Sequence, residues 1–196
     1  MTIQILAVLG FGTGCLLLAA DEPKQKVPVS GTQRMDLPPD GTLRLTKSTG
    51  LLTVEAWDRP DVEITTIKLP GQVPECRIKA SANAKLIVDH DFGDVNIDGL
   101  AGDIQVTLLQ GEILLHLPQD GRYNIHARSH FGAVNSDFPG PEKRRWWLFG
   151  HRSLSRDSQA AHKLNLRVAF GDIVILKTRV PTPPGPLISA SKADGV

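Results

Sequence analysis

Phe-Gly followed by a small or acidic residue and then a β-branched one occurs three times in this chain. The copies are Phe92-Gly93-Asp94-Val95, Phe131-Gly132-Ala133-Val134 and Phe170-Gly171-Asp172-Ile173. Successive copies start 39 residues apart, at 92, 131 and 170. Gly102-Asp103-Ile104 and Gly111-Glu112-Ile113 lie between the first two and, with Gly93, make steps of nine residues. A glycine recurring ahead of short strands marks a backbone position that needs positive φ or close approach of another chain segment. Repeated at fixed spacing, such turns let strands stack so that Val, Ile and Leu form inward ladders. Each fully buried aliphatic side chain then contributes about 1.5–3 kcal/mol. The fold class expected from this pattern is all-β, a stacked-strand β-solenoid or β-helix-like repeat domain.

The rest of the chain agrees on strand. Leu43-Arg44-Leu45, Leu52-Thr53-Val54-Glu55-Ala56-Trp57 and Val62-Glu63-Ile64-Thr65 alternate apolar and polar with period two, the mark of half-buried strands. Asp58-Arg59-Pro60-Asp61 between the last two has turn chemistry. Leu86 to Val88, Val95 to Ile97, Ile104 to Val106, Ile113 to Leu117, Tyr123 to Ala127, Leu164 to Val168 and Ile173 to Leu176 continue the series. No stretch sustains an apolar stripe at helical spacing; 153–162 is the one place where a short helix could fit. The expected organisation is a signal peptide at 1–20, a polar linker at 21–33, a β-repeat domain at 34–178 with an insertion at 139–162, and a Pro-rich disordered tail at 179–196.

The leader rests on the run from Ile3 to Ala20, which carries no charged residue and ends in Leu18-Ala19-Ala20 before Asp21. An apolar run with a small-residue end has the form of a cleaved secretory signal. The competing reading is a retained membrane anchor, since 18 residues is near the lower limit for a span. A lipid anchor at Cys15 is disfavoured, because Gly12 stands where a lipoprotein signal wants an aliphatic residue. Cleavage after Ala20 leaves Cys76 alone, so there is no intramolecular disulfide and Cys76 is expected to act as a small buried hydrophobe. The net charge of +1 gives no global field to attract nucleic acid.

The segment Gly50-Leu51-Leu52-Thr53-Val54-Glu55-Ala56-Trp57-Asp58-Arg59-Pro60-Asp61-Val62-Glu63-Ile64 resembles the opening of the bacterial putative-adhesin family of exported β-repeat domains. Gly93-Asp94-Val95-Asn96-Ile97 through Gly102-Asp103-Ile104-Gln105-Val106 is similar to its repeating Gly-Asp-Val units. Phe131-Gly132-Ala133-Val134-Asn135-Ser136-Asp137-Phe138 and Gly171-Asp172-Ile173-Val174-Ile175 are similar to its late elements. The resemblance covers residues 40–178. It implies an exported β domain with no known catalytic site, with relatives in envelope-stress systems.

The aromatic insertion departs from that pattern. Lys143, Arg144, Arg145, Trp146, Trp147, Phe149 and Arg152 fall within ten residues. Trp and Arg are enriched at binding hot spots, and Trp beside basic residues suits an anionic membrane interface. The alternative is that the tryptophans cap the end of the strand stack. The expected partners are an envelope protein, a glycan or an anionic membrane surface, and not nucleic acid. The six histidines are scattered and no His-Glu-x-x-His or Cys-rich spacing occurs, so neither a metal site nor a cofactor is expected. Asp94, Asp103, Glu112 and Asp172 follow the turn glycines and are expected to accept turn hydrogen bonds rather than to bind calcium. Asp89-His90-Asp91 could orient a histidine, but no nucleophile motif accompanies it.

The functional expectation is a non-catalytic exported cell-envelope protein, periplasmic, cell-surface or secreted, presenting a surface for adhesion or protein or envelope binding. Two alternatives stand beside it: an envelope-stress signalling partner and a β-helix polysaccharide-processing enzyme. Such an enzyme would need clustered carboxylates on one sheet face, and no carboxylate pair is clustered here.

Overall fold

The computed structural model describes residues 2–6, 29–140, 142–144, 151–155 and 160–178. The expected tail at 179–196 and most of the expected leader and linker lie outside these residues. Among them the chain forms strands and no helix, as the period-two alternation requires. The first sheet runs in the order β1 (Thr2–Leu6), β3 (Thr42–Thr49), β7 (Lys85–Phe92), β9 (Ile104–Gln110), β15 (His162–Phe170), β11 (Tyr123–Phe131), β14 (His151–Ser155) and β13 (Glu142–Arg144). The second runs β12 (Val134–Ser136), β16 (Ile173–Thr178), β10 (Ile113–Pro118), β8 (Val95–Asp98), β4 (Leu51–Trp57), β6 (Glu75–Ser81), β5 (Asp61–Lys68) and β2 (Val29–Asp36). Strands β1 to β11 of the first sheet pair in parallel, and β14 and β13 continue it antiparallel. The second sheet is parallel from β12 to β6 and antiparallel through β5 and β2.

Five strand-glycine-strand units cross from the first sheet to the second: β3–β4, β7–β8, β9–β10, β11–β12 and β15–β16. Their turn glycines form one column in the spatial order Gly50, Gly93, Gly111, Gly171, Gly132. Each N–H donates to the carbonyl one residue before the next glycine. Gly93 reaches Gln110 O at 3.0 Å, Gly111 reaches Phe170 O at 3.0 Å, and Gly171 reaches Phe131 O at 2.9 Å. All five φ values are positive, from 101° at Gly50 to 153° at Gly132. A Cβ on Gly171 would overlap the Gly111 carbonyl oxygen, and one on Gly93 would overlap that of Gly50. The glycines are there for left-handed backbone and for contact between neighbouring corners.

The spatial order corrects the solenoid expectation. In a solenoid each coil stacks on the one before it in sequence. Here β15–β16 lies between β9–β10 and β11–β12, and each sheet runs antiparallel at one end. The fold is all-β with two mixed sheets and is neither a solenoid nor a β-helix. The physical reason is in the register. Leu164, Leu166 and Val168 of β15 align with Ile104, Val106 and Leu108 on one side and with Ile125, Ala127 and Ser129 on the other. The Asp103 carboxylate accepts the Lys163 N–H at 2.9 Å. A glycine spacing is compatible with either stacking order, because any unit of this shape fits any neighbour.

The inner faces form one core. In the second sheet Leu52, Val95, Ile113, Ile173 and Val134 stand in one cross-strand row, and Val54, Ile97, Leu115 and Ile175 in the next. All are at most 1% exposed. Val95, Ile97, Ile104, Val106 and Ile113 are therefore buried as the alternation predicts. Two boundaries move. Strand β2 begins at Val29, inside the stretch assigned to the linker, and 151–155 is strand rather than the short helix allowed there. Trp57 explains the Trp-Asp-Arg turn: its indole N–H donates to Asp61 O at 2.8 Å across the turn, under the Arg59 guanidinium.

Candidate functional site

The outer faces of the two sheets differ in how their charges are arranged. On the second sheet, the cross-strand row runs Arg34, Glu63, Lys79, Glu55, Asp98, His116. Opposite charges alternate at its start, and they pair. Arg34 Nε donates to Glu63 Oε2 at 2.8 Å, and Lys79 Nζ lies 3.6 Å from Glu63 Oε1. The Arg34 hydrogen bond holds the Glu63 carboxyl below its usual range, and the same contact raises Arg34. This end of the face is largely self-neutralised.

The first sheet carries the opposite arrangement. Its outer row runs Lys143, Arg152, Arg128, Arg167, Thr107, Asp89 across β13, β14, β11, β15, β9 and β7. Four consecutive members are cationic. Neighbouring strands lie about 4.8 Å apart, so these four backbone positions span about 14 Å. Arg128 and Arg167 are exposed and have no ion-pair partner among the described residues. Like charges directly opposite on neighbouring strands are destabilising, so this arrangement runs against sheet stability unless an anion compensates it.

Three residues beyond Arg128 and Arg167, the same strands end at the glycine corner. There Phe131 and Phe170 stack with ring centroids 4.8 Å apart and an interplanar angle of 5°. Phe92 and Gln110 continue that row. Phe92, Phe131 and Phe170 are 53%, 46% and 50% exposed, and Leu109 beside them is 45% exposed. The Phe of the Phe-Gly motif thus faces solvent, while the glycine packs against its neighbour.

Of the sequence-derived site residues, the structure places Lys143 and Arg144 on β13 and Arg152 on β14, with Lys143 opposite Arg152. Arg145, Trp146, Trp147 and Phe149 lie outside the described residues. Arg128 and Arg167 were missed by sequence reasoning. No local motif marks them; they become neighbours of Arg152 because β11 pairs with both β14 and β15.

The Asp89-His90-Asp91 segment has a different role from a site. His90 is 1% exposed, with Nδ1 2.7 Å from Ser48 Oγ and Nε2 2.9 Å from Gly50 O. With the proton on Nε2, the imidazole donates to the carbonyl and accepts from the hydroxyl. Burial lowers its pKa, which favours the neutral ring. Ser48 and a histidine at hydrogen-bond distance have nucleophile–base geometry, but Ser48 is 6% exposed and the pair is enclosed in the core. Cys76 is half-buried against the core with its thiol pushed up by burial. Asp94 and Asp172 accept N–H groups of neighbouring corners, Glu112 at 3.1 Å and Ala133 at 2.7 Å. Asp94, Asp103 and Asp172 therefore accept backbone N–H groups between units rather than within one turn. Among the described residues no group of three or more His, Cys, Asp or Glu is placed to hold a metal ion, and no helix is long and apolar enough to cross a membrane.

No protein-family model matches this chain, and no curated protein does. Among solved structures it is similar to a putative cell adhesion protein from Clostridium sporogenes, at 15% identity. The match covers 76% of this chain and 100% of that one, with a TM-score of 0.46. A likeness at that level carries no argument about function, and the resemblance to the putative-adhesin family remains one of motifs.

Proposed function

We propose that this chain is a non-catalytic, exported cell-envelope protein that binds an anionic envelope surface through the outer face of its first sheet, in adhesion or in attachment of protein to envelope. The observation that carries the reading is the cross-strand register of Lys143, Arg152, Arg128 and Arg167, in which Arg128 and Arg167 are exposed with no ion-pair partner among the described residues. Opposite one another on neighbouring strands, Arg128 and Arg167 repel, and a phosphate- or carboxylate-bearing surface removes that repulsion on contact. Each cation near an anionic membrane surface contributes about 1 kcal/mol. The phenylalanine corner supplies apolar area next to the charges, and the Lys143-to-Arg152 segment brings Trp146 and Trp147 into the same part of the chain. The polysaccharide-processing alternative drew on a β-helix, and the fold is not one.

The test is charge reversal. Arg128→Glu/Arg167→Glu is expected to lose most of its binding to phosphatidylglycerol vesicles and to isolated envelopes. The wild type is expected to bind neutral phosphatidylcholine vesicles poorly and to dissociate as salt rises. Because both side chains are exposed, the melting temperature of the double variant should stay at or above that of the wild type. Undiminished binding by a folded variant overturns the reading. Trp146→Ala/Trp147→Ala separates the two parts of the surface: lost binding with unchanged melting places the tryptophans in the contact, and lost stability with intact binding makes them a cap.

A further inference from the structure

The glycine corners form without phenylalanine. Thr49 and Gln110 stand before Gly50 and Gly111, where the other three units have Phe92, Phe170 and Phe131, and all five glycines have positive φ. The three phenyl rings are half exposed, so they add less to the core than the buried Val, Ile and Leu rows. Of the six large apolar side chains exposed among the described residues, four gather at this rim: Phe92, Leu109, Phe131 and Phe170. Exposed apolar residues that gather in one place mark a contact surface. We propose that this rim inserts into an anionic lipid bilayer, with the phenylalanines at the acyl boundary and Arg128 and Arg167 at the level of the phosphates. The inference deepens the surface proposed above and rests on it.

Dimensions and charge both select a bilayer. Strands β3, β7, β9, β15 and β11 run parallel toward this rim. The residues just before their glycines make one row, Thr49, Phe92, Gln110, Phe170 and Phe131. At about 4.8 Å per strand the row is about 19 Å long, and none of its members is charged. Arg128 and Arg167 lie three residues back along their strands, about 10 Å at about 3.3 Å per residue. Apolar faces of interfacial elements sink about 5–10 Å into the boundary of headgroups and acyl chains. A bilayer that takes in the rings therefore meets the guanidinium groups with its phosphates. The rim is the turning edge between two sheets, so it is convex. Small ligands are held in concave sites, whereas a soft acyl phase closes around an edge. The acids set the tilt. Asp94, Glu112 and Asp172 stand beyond the glycines, just before the second-sheet strands, and Asp89 and Asp91 lie on β7 with Phe92. Anionic headgroups repel both sets. The first-sheet side therefore enters by its β15–β11 half, and Phe131 and Phe170 go deeper than Phe92.

Sedimentation with phosphatidylglycerol vesicles tests insertion on the full chain. Every variant keeps residues 1–28, so any contribution of the apolar run is common to all. Gln110 shows that a corner of this kind accepts glutamine, so Phe131→Gln/Phe170→Gln should melt close to the wild type. It should bind the vesicles about tenfold more weakly or worse, yet elute from polyphosphate-coated beads at the wild-type salt concentration. Phe131→Leu/Phe170→Leu keeps the apolar area and should stay within about threefold of the wild type on vesicles. Loss there as well overturns insertion, because ring stacking rather than apolarity is then the requirement. Unchanged vesicle binding by the glutamine pair overturns insertion and leaves the arginine contact standing. An equal loss on vesicles and on polyphosphate also overturns it, since the phenylalanines then act through the arginines. Phe92→Gln should lose less than Phe170→Gln, and the reverse order sinks the tilt. Arg128→Glu/Arg167→Glu should weaken both ligands; if it weakens neither, the charged surface itself fails, an outcome that the phenylalanine variants do not produce.

Discussion

At the residue scale, the same amino-acid type answers to different constraints at different positions. Gly171 has a φ of 136° and its hypothetical Cβ would overlap a backbone oxygen, whereas Gly31 has open space around it. Gly171→Ala should therefore destabilise the fold by about 1–3 kcal/mol from strain, with the displaced corner adding to that. Gly31→Ala should leave the urea midpoint unchanged. His90 gives a pH signature whose sign follows from its lowered pKa. Above about pH 6.5 the imidazole is neutral in both folded and unfolded chains. Below that value the unfolded chain takes up a proton that the folded chain refuses until its own lower pKa is reached. Stability is then lost as pH falls through that window. Ser48→Ala/His90→Leu removes this contribution, so its melting temperature should drop less than that of the wild type when the buffer is taken from about pH 7 to about pH 5.

At the scale of the element, a unit of this fold is a strand, a glycine corner and a second strand, and units are joined at the corner as well as along the strands. Asp172 shows how: its carboxylate accepts the Ala133 N–H at 2.7 Å, tying β16 to the start of β12. Strand β12 has three residues and lies at the end of its sheet, so that bond adds to a short ladder with β16 in holding it. Asp172→Ala should cost about 1–2 kcal/mol, in the range for hydrogen bonds to charged groups after discounting for solvent exposure. The loss should concentrate in faster exchange of the amides of Val134 to Ser136 rather than spread across the core. The two outer rows obey the same cross-strand geometry with opposite outcome: alternating signs on the second sheet pair internally, and like signs on the first leave a surface in need of a counter-charge.

At the scale of the whole molecule, chain order and spatial order part company. Strand β15 is the sole described link between β9 and β11 in the first sheet, and β16 separates β10 from β12 in the second. A chain ending at Ala161 therefore lacks a middle layer. Cooperative thermal unfolding followed by circular dichroism should disappear in that truncation. Sequential stacking would lose just its last coil and keep a cooperative transition, so survival of one would count against the observed strand order. Pairings such as Lys163 with Asp103 join residues far apart in sequence, and folds dominated by such contacts fold in milliseconds to seconds.

The strands of the five glycine units, their buried aliphatic rows and the glycine corners were legible in the sequence; β1, the start of β2, β6, β13 and β14 were not. Each depends on a period of two or on one residue's allowed φ, which are properties of a few adjacent residues. The Trp57 turn was legible for the same reason. The stacking order was not, because Gly93, Gly111, Gly132 and Gly171 terminate units of one shape and the sequence places no label on which unit meets which. That choice was made by pairing between distant strands, through the matched rows of β9, β15 and β11. The candidate surface followed from it. Sequence marked Lys143, Arg144 and Arg152 as a basic cluster, but Arg128 and Arg167 join Arg152 only once β11 lies between β14 and β15. The Ser48–His90 pair has the same origin, since residues on β3 and β7 meet across a ladder that local patterning does not specify.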